Sequence, residues 1–248
     1  MKLTKIIAGT VCLAALSGTM FAQQTVKNQN DSRTETTVDE EYLSNAEDVI
    51  ITELATSPEY DNKLVALTYL EDAVAAGRTS PDIVAALQGL AGEGVTTQAR
   101  TKGRVMNNFP DIRAKACDIL GEVPSKEAKN TLMTIAQDDK EPMVVTAAVR
   151  SLGNIGMNDN NEVVNMIAFI QKKYAALNPT SSLALEILNA YEKLAPSVTA
   201  AEDRKTMIES VSEIASNYHF VTPVRTRALG LLKTLQGQGN SSSKKSGK

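Results

Sequence analysis

The chain has 248 residues, 42% apolar but only 4% aromatic, with no tryptophan and a formal net charge of −3. An acidic chain this poor in aromatics is a weak candidate for binding nucleic acid. Its apolar content comes from Ala, Leu, Ile and Val, which reads as a helical core rather than a β-sandwich.

Lys2 and Lys5 precede an apolar run from Ile6 to Leu16, and Ser-Gly-Thr-Met-Phe-Ala follows. That order reads as a secretory signal peptide over residues 1–22. Cleavage is expected after Ala22 or, because Met20 is bulky for the −3 position, after Ser17. The run is too short to span a bilayer, which takes about 20 apolar residues. Cys12 lies inside the run, behind Gly9-Thr10-Val11, rather than after it, so it does not fit a lipid-anchored cysteine. These features predict an exported protein, periplasmic or secreted, with no transmembrane segment in the mature chain. Cys117 is then the one remaining cysteine, and no internal disulfide can form.

Residues 23–38 are polar and aperiodic and read as a disordered leader. From 39 to 236 the spacing of apolar residues is helical. A first helix over 39–55 places Tyr42, Leu43, Ala46, Val49, Ile50 and Leu54 on one face and is expected to cap the N-terminal end. Helices follow over 58–76, 81–91, 110–121, 125–137, 141–155, 161–176, 179–194, 199–218 and 223–236. Residues 237–248 are Gly, Ser and Lys and read as a flexible basic tail.

A short pattern recurs along this region: an alanine, an apolar residue directly after it, and a leucine four positions after the alanine. It occurs at Ala66…Leu70, Ala116…Leu120, Ala148…Leu152, Ala184…Leu188 and Ala228…Leu232. Recurrence at intervals of about 20–50 residues is the mark of a stacked repeat. The small alanine allows close approach of helix axes and the leucine fills the space beside it, so these ten residues are the expected repeat core. The residue after the alanine (Leu67, Cys117, Val149, Leu185, Leu229) is expected to be apolar core as well. In four helix pairs the motif helix is read as coming first, with the last motif helix unpaired. Gly121 and Gly153 sit where a helix end favours a left-handed residue. Arg113 and Arg225, at equivalent positions, are expected to pair with acids between repeats.

The segment PDIRAKACDILGEV and its counterpart PMVVTAAVRSLGNI resemble the short bacterial HEAT-like repeat named after phycobilisome lyases. Across the copies the resemblance covers about residues 58–236. It implies an all-α fold, an α-α superhelix of the HEAT-like solenoid type, with one set of helices lining a concave face. It also implies binding of a protein or peptide partner as the usual role, and it carries no catalytic residues.

The residues themselves point away from an enzyme. His219 and Cys117 are too few to supply a zinc site. Gly92-Glu93-Gly94 lacks the lysine of a phosphate loop. Asp159 and Glu162 lack the spacing of a calcium loop and precede a helix, where such residues cap. No catalytic, metal or cofactor residue is assigned. Residues 95–109 break the repeat rhythm, and they hold Arg100, Lys102 and Arg104 with no acid among them. A long loop in a compact array is often functional, so these three cations are the candidate partner-binding residues; the alternative is a solvated insertion. The expected function is a non-enzymatic, exported scaffold or adaptor. The alternative is a lyase- or chaperone-like protein handling a small ligand or client in the cell envelope.

Overall fold

A computed structural model describes residues 38–198 and 201–243, with side chains over 43–198 and 204–237. The predicted signal peptide and residues 23–37 of the leader lie outside the described residues. Ten α-helices and one short hairpin are described: α1 (Val38–Thr56), α2 (Tyr60–Ala75), α3 (Pro81–Gly92), β1 (Arg100–Thr101), β2 (Arg104–Val105), α4 (Pro110–Leu120), α5 (Lys126–Asp138), α6 (Pro142–Ile155), α7 (Glu162–Leu177), α8 (Ser181–Leu194), α9 (Ala201–Ser216) and α10 (Thr222–Ser243).

The helix starts follow from local chemistry. Pro81, Pro110 and Pro142 stand in first turns, where a fixed φ is helical already and the missing N–H has no partner to lose. The hydroxyls of Ser80 and Ser125 accept the N–H of Ile83 and Ala128, capping α3 and α5. At the far end α10 continues to Ser243, so it includes residues expected to belong to the tail.

The helices form two rows. The motif helices α2, α4, α6, α8 and α10 stack on one another, and α1, α3, α5, α7 and α9 form the second row. The pairing differs from the motif-first order that the sequence suggests. Each motif helix packs most closely, across the rows, on the helix before it: α1 with α2, α3 with α4, α5 with α6, α7 with α8 and α9 with α10. Hence α10 is partnered, and α1 is half of a pair rather than an added cap. The motif stripe is wide enough to touch both chain neighbours, and its sequence does not say which contact is larger.

Along the motif row Ala66, Leu70, Ala116, Leu120, Ala148, Leu152, Ala184, Leu188 and Ala228 are buried, and Leu232 is half-buried. Leu67, Cys117 and Val149 are buried, Leu185 is partly so, and Leu229 faces solvent. Leu229 departs from its expected place because, among the described residues, no further helix of the row follows α10 to cover it. Gly121 and Gly153 are not left-handed caps. Gly121 is right-handed at φ −64°, and Gly153 lies inside α6. A Cβ on Gly121 would stand 2.6 Å from Ser151 Oγ, and one on Gly153 would stand 2.7 Å from Ala190 Cα. Both glycines let neighbouring motif helices approach. The left-handed position after α6 belongs to Gly156, at φ 69°.

Ion pairs join successive motif helices along their solvent side: Asp118 to Arg150 at 2.8 Å, Arg150 to Glu186 at 3.3 Å, and Glu192 to Arg227 at 2.8 Å. Exposed pairs of this kind contribute little each.

Helix α1 turns inward a different face from most of the stripe its periodicity predicts: of that stripe Leu54 packs partly buried against the core, and the side chain of Tyr42 lies outside the described residues. Leu43, Ala46, Val49 and Ile50 are exposed, while Asp48, Ile51 and Ala55 are buried. Asp48 decides the orientation: it accepts from Ser80 Oγ at 2.6 Å and from Arg78 Nη1 at 3.1 Å in the α2–α3 turn. No helix among the described residues is long and apolar enough to cross a membrane.

Candidate functional site

The segment between α3 and α4 is structured. Gly94, at φ 76°, donates to Thr97 O at 2.9 Å, and Thr96 Oγ1 donates to Gly92 O at 2.9 Å. The chain then forms an antiparallel hairpin in which Arg100 pairs with Val105 and Thr101 with Arg104. Its two-residue turn is Lys102-Gly103, with φ of 50° and 79°. A two-residue hairpin turn of this hand needs positive φ at both positions, which glycine adopts freely. Asn107 ties the strands together below the turn, accepting from Ala99 N at 2.9 Å and donating to Thr97 O at 2.8 Å. The long loop anticipated over 95–109 is therefore a braced hairpin. The signal that could have revealed it is Gly103 flanked by Arg100-Thr101 and Arg104-Val105.

Arg100, Lys102 and Arg104 are all exposed. None of them takes part in an ion pair among the described residues. The hairpin does not bring the three together as one patch. Directly opposed residues of an antiparallel pair share a face, so Arg100 lies on the face of Val105 and Arg104 on the face of Thr101. Lys102 stands at the tip. The Arg100 guanidinium is held in place by Gln98 Oε1, at 3.0 Å from Nε and 2.6 Å from Nη2.

The hairpin stands on a buried pedestal. Arg113 of α4 is 1% exposed and grips Asp139, with Nε 2.7 Å from Oδ2 and Nη2 3.3 Å from Oδ1. Its remaining nitrogen, Nη1, donates to Asn108 Oδ1 at 2.9 Å and to Glu93 O at 3.3 Å. Both feet of the insertion and the α5–α6 turn thus meet at one guanidinium. Asp139 in turn accepts from Glu141 N at 2.8 Å, and its carbonyl accepts from Tyr174 Oη at 3.2 Å. Burial, aided by the nearby Asp139 carboxylate, pushes the Tyr174 phenol up, so it stays a donor. The carboxylate of Glu93 is bound by Lys63 at 2.9 Å.

Between the hairpin and the α5–α6 turn runs a groove of about 780 Å³. Val95, Val105 and Leu177 give it apolar wall, and Leu177 is 73% exposed. Lys140 and Lys173 line it with Asp138 and Glu141. Lys173 donates to Gln137 O at 2.9 Å.

The other candidates fall into structural places. Arg225 lacks the acid expected for it. It stacks over the Tyr218 ring at 4.7 Å and donates to Thr222 Oγ1 at 3.3 Å. The acid that Arg113 uses lies in the turn leading to the next motif helix, and no motif helix follows α10 among the described residues. Asp159 and Glu162 both receive Lys129 Nζ, the former at 3.0 Å. That hydrogen bond holds the Asp159 carboxyl below the usual carboxylate range. Among the described residues no three His, Cys, Asp or Glu side chains are grouped to hold a metal. Cys117 is buried, and burial pushes its thiol up, so it is unreactive. His219 is exposed, its Nδ1 3.0 Å from Asn217 Oδ1.

Two stacked rows of antiparallel helices, built on a recurring Ala/Leu block, define an all-α helical-repeat fold. Residues 98–168, from the base of the hairpin into α7, match the family described as HEAT repeats. No curated protein matches the chain.

Proposed function

We propose that this protein is a non-enzymatic scaffold that binds another protein, with the hairpin over 95–109 as its contact surface. HEAT repeats are commonly interaction modules, and the matched segment, 98–168, contains both strands of the hairpin. The observation that carries the reading is a braced projection with three cations that have no ion-pair partner among the described residues, anchored on a buried Arg113–Asp139 pair. Surfaces of this kind, held by a fixed base, lose little order on binding. The acidic chain favours a protein over a nucleic acid as partner.

Export to the periplasm or beyond is part of the proposal, and it is supported by the Lys2/Lys5 and Ile6–Leu16 pattern. Phycobilisome-lyase kinship and a bacterial source belong to the proposal on the strength of the PDIRAKACDILGEV resemblance; a lyase- or chaperone-like role is the alternative to it. The groove beside the hairpin is open and lined by both signs of charge, which favours a chain-like partner over an enclosed small ligand.

The test is a photo-crosslinking residue placed at Lys102 and, as a control, at Lys205 in the full chain expressed in cells. A discrete protein adduct from the first position and none from the second supports the reading. Adducts at neither position, or equally at both, overturn it.

A further inference from the structure

We propose that copies of this chain join head to tail, the α2 end of one copy seating on the α10 end of the next and continuing the motif row across the joint. The hairpin takes no part, so this stands apart from the scaffold reading.

The register of the motif row fixes which side chains face each neighbour. A Cβ on Gly121, five positions after its motif alanine, would meet Ser151, three positions after the alanine of α6. One on Gly153, again five positions after, would meet Ala190, six positions after the alanine of α8. The fifth position thus faces the following motif helix, and the third and sixth face the preceding one. Lys115, one before its alanine, also reaches back, to Glu71 of α2. Inside the stack the backward-facing third position is covered: Ile119, Ser151, Ile187 and Leu231 are buried. In α2 the same stripe holds Val65, Tyr69 and Asp72, and among the described residues no motif helix precedes it. Val65 is 45% exposed and Tyr69 49%. A repeat that ends a stack normally turns a polar face outward. This one keeps the apolar face of an internal repeat.

The other end is open in the complementary sense. Leu229 directly follows the alanine of α10, a place where Leu67, Cys117 and Val149 are buried, yet it is 53% exposed. One further motif helix would cover it, as one preceding helix would cover Val65 and Tyr69. A second copy supplies both. Residues 23–37 offer Val26 as their one apolar side chain and make a poor substitute.

Charge selects which ends meet. α1 holds six acids and no base, and α2 three acids and Lys63. α10 holds Arg225, Arg227 and Lys233 and no acid. Two α2 ends would set acid against acid and two α10 ends base against base, whereas unlike ends attract. The register of Gly153 on Ala190, carried across the joint, puts Lys233 opposite Asp72 of the next copy. Neither takes part in an ion pair among the described residues.

A contact between unlike ends is heterologous, so it propagates beyond two copies. Sedimentation velocity of the full chain is expected to show monomer near about 1 μM and dimers, trimers and longer species towards about 500 μM. Val65→Asp with Tyr69→Asp blocks one end and Leu229→Asp the other. All three positions are exposed, so far-UV circular dichroism is expected to match the parent, and each blocked chain alone is expected to stay monomeric. Mixed, they retain one good end each and are expected to form a dimer and nothing larger. Lys233→Glu and Asp72→Lys are each expected to weaken association about tenfold, and one chain carrying both reversals to recover most of it.

A parent that stays monomeric throughout overturns the proposal, whether its α2 end remains bare or is covered by the Ile6–Leu16 run. A parent that stops at two copies overturns it too, because that is contact between like ends. So does a mixture of the two blocked chains that stays monomeric, or a doubly reversed chain that recovers nothing.

Discussion

Arg113 is the residue on which the hairpin, α4 and the next repeat depend together. Its charge is fully enclosed, and the gain from pairing is balanced against the desolvation of both ions. Removing one partner alone leaves Asp139 charged in a dry site. Arg113→Met is therefore expected to destabilise the fold by about 3–5 kcal/mol in urea unfolding, whereas a double change of Arg113→Met with Asp139→Leu recovers part of that loss. Lys129, clasped by Asp159 and Glu162, gives a different signature. The Asp159 carboxyl is held below its ordinary range by Lys129, so its contribution is present above about pH 3.9 and is lost as pH falls through the lowered value. The urea midpoint of the parent is expected to drop on acidification over that window, and Asp159→Asn to flatten the drop. An unchanged acid limb in the variant would remove the pair from the account. The sequence announces such residues unevenly. Arg113 is legible because a charge at a core register needs a partner between repeats. Gly121 and Gly153 are not, since a glycine required by a neighbouring helix looks the same as one required by a left-handed turn.

Helices were legible because a 3.6-residue period survives any choice of neighbour, and their starts because proline and serine act locally. The orientation of α1 was not. Its apolar residues Leu43, Ala46, Val49 and Ile50 mark one stripe, yet the structure buries the stripe containing Ile51, Ala55 and Asp48. The tie from Asp48 to Arg78 and Ser80 spans about 30 residues of sequence, beyond the reach of any local pattern. The two faces predict opposite mutational outcomes. Val49→Asp is expected to leave the thermal midpoint within experimental scatter, since the side chain is already in water. Ile51→Asp places a carboxylate in the buried core and is expected to cost several kcal/mol. A severe loss from Val49→Asp with a mild one from Ile51→Asp would restore the face that periodicity suggests. The hairpin was hidden for a related reason: its turn uses Lys102-Gly103 rather than the Asn-Gly or Asp-Gly pair that advertises such turns, and its strands are too short to alternate.

In a stack of helix pairs each unit rests on its neighbours, so stability is distributed as intrinsic and nearest-neighbour terms. Which helices make up a unit then becomes a measurable property. α9 buries Met207, Val211 and Ile214, and its most extensive contact is with α10, with smaller contacts to α7 and α8. If α9 and α10 are one unit, a chain ending at Phe220 removes the main partner of α9 while leaving α1 to α8 in their pairs. Hydrogen exchange on that truncated chain is expected to show α9 unprotected and α3 to α6 as slow as in the parent. Motif-first pairing predicts the reverse for α9, because its unit would be α8 with α9, and deleting an unpaired closing helix would leave that unit intact. Protection of α9 without α10 would therefore overturn the pairing described here. The hairpin lies within the pair α3/α4 and is braced by the pair α5/α6 through Asp139, away from the cut. The same truncated chain is expected to retain the groove, so loss of helix α9 and loss of partner binding separate in one experiment.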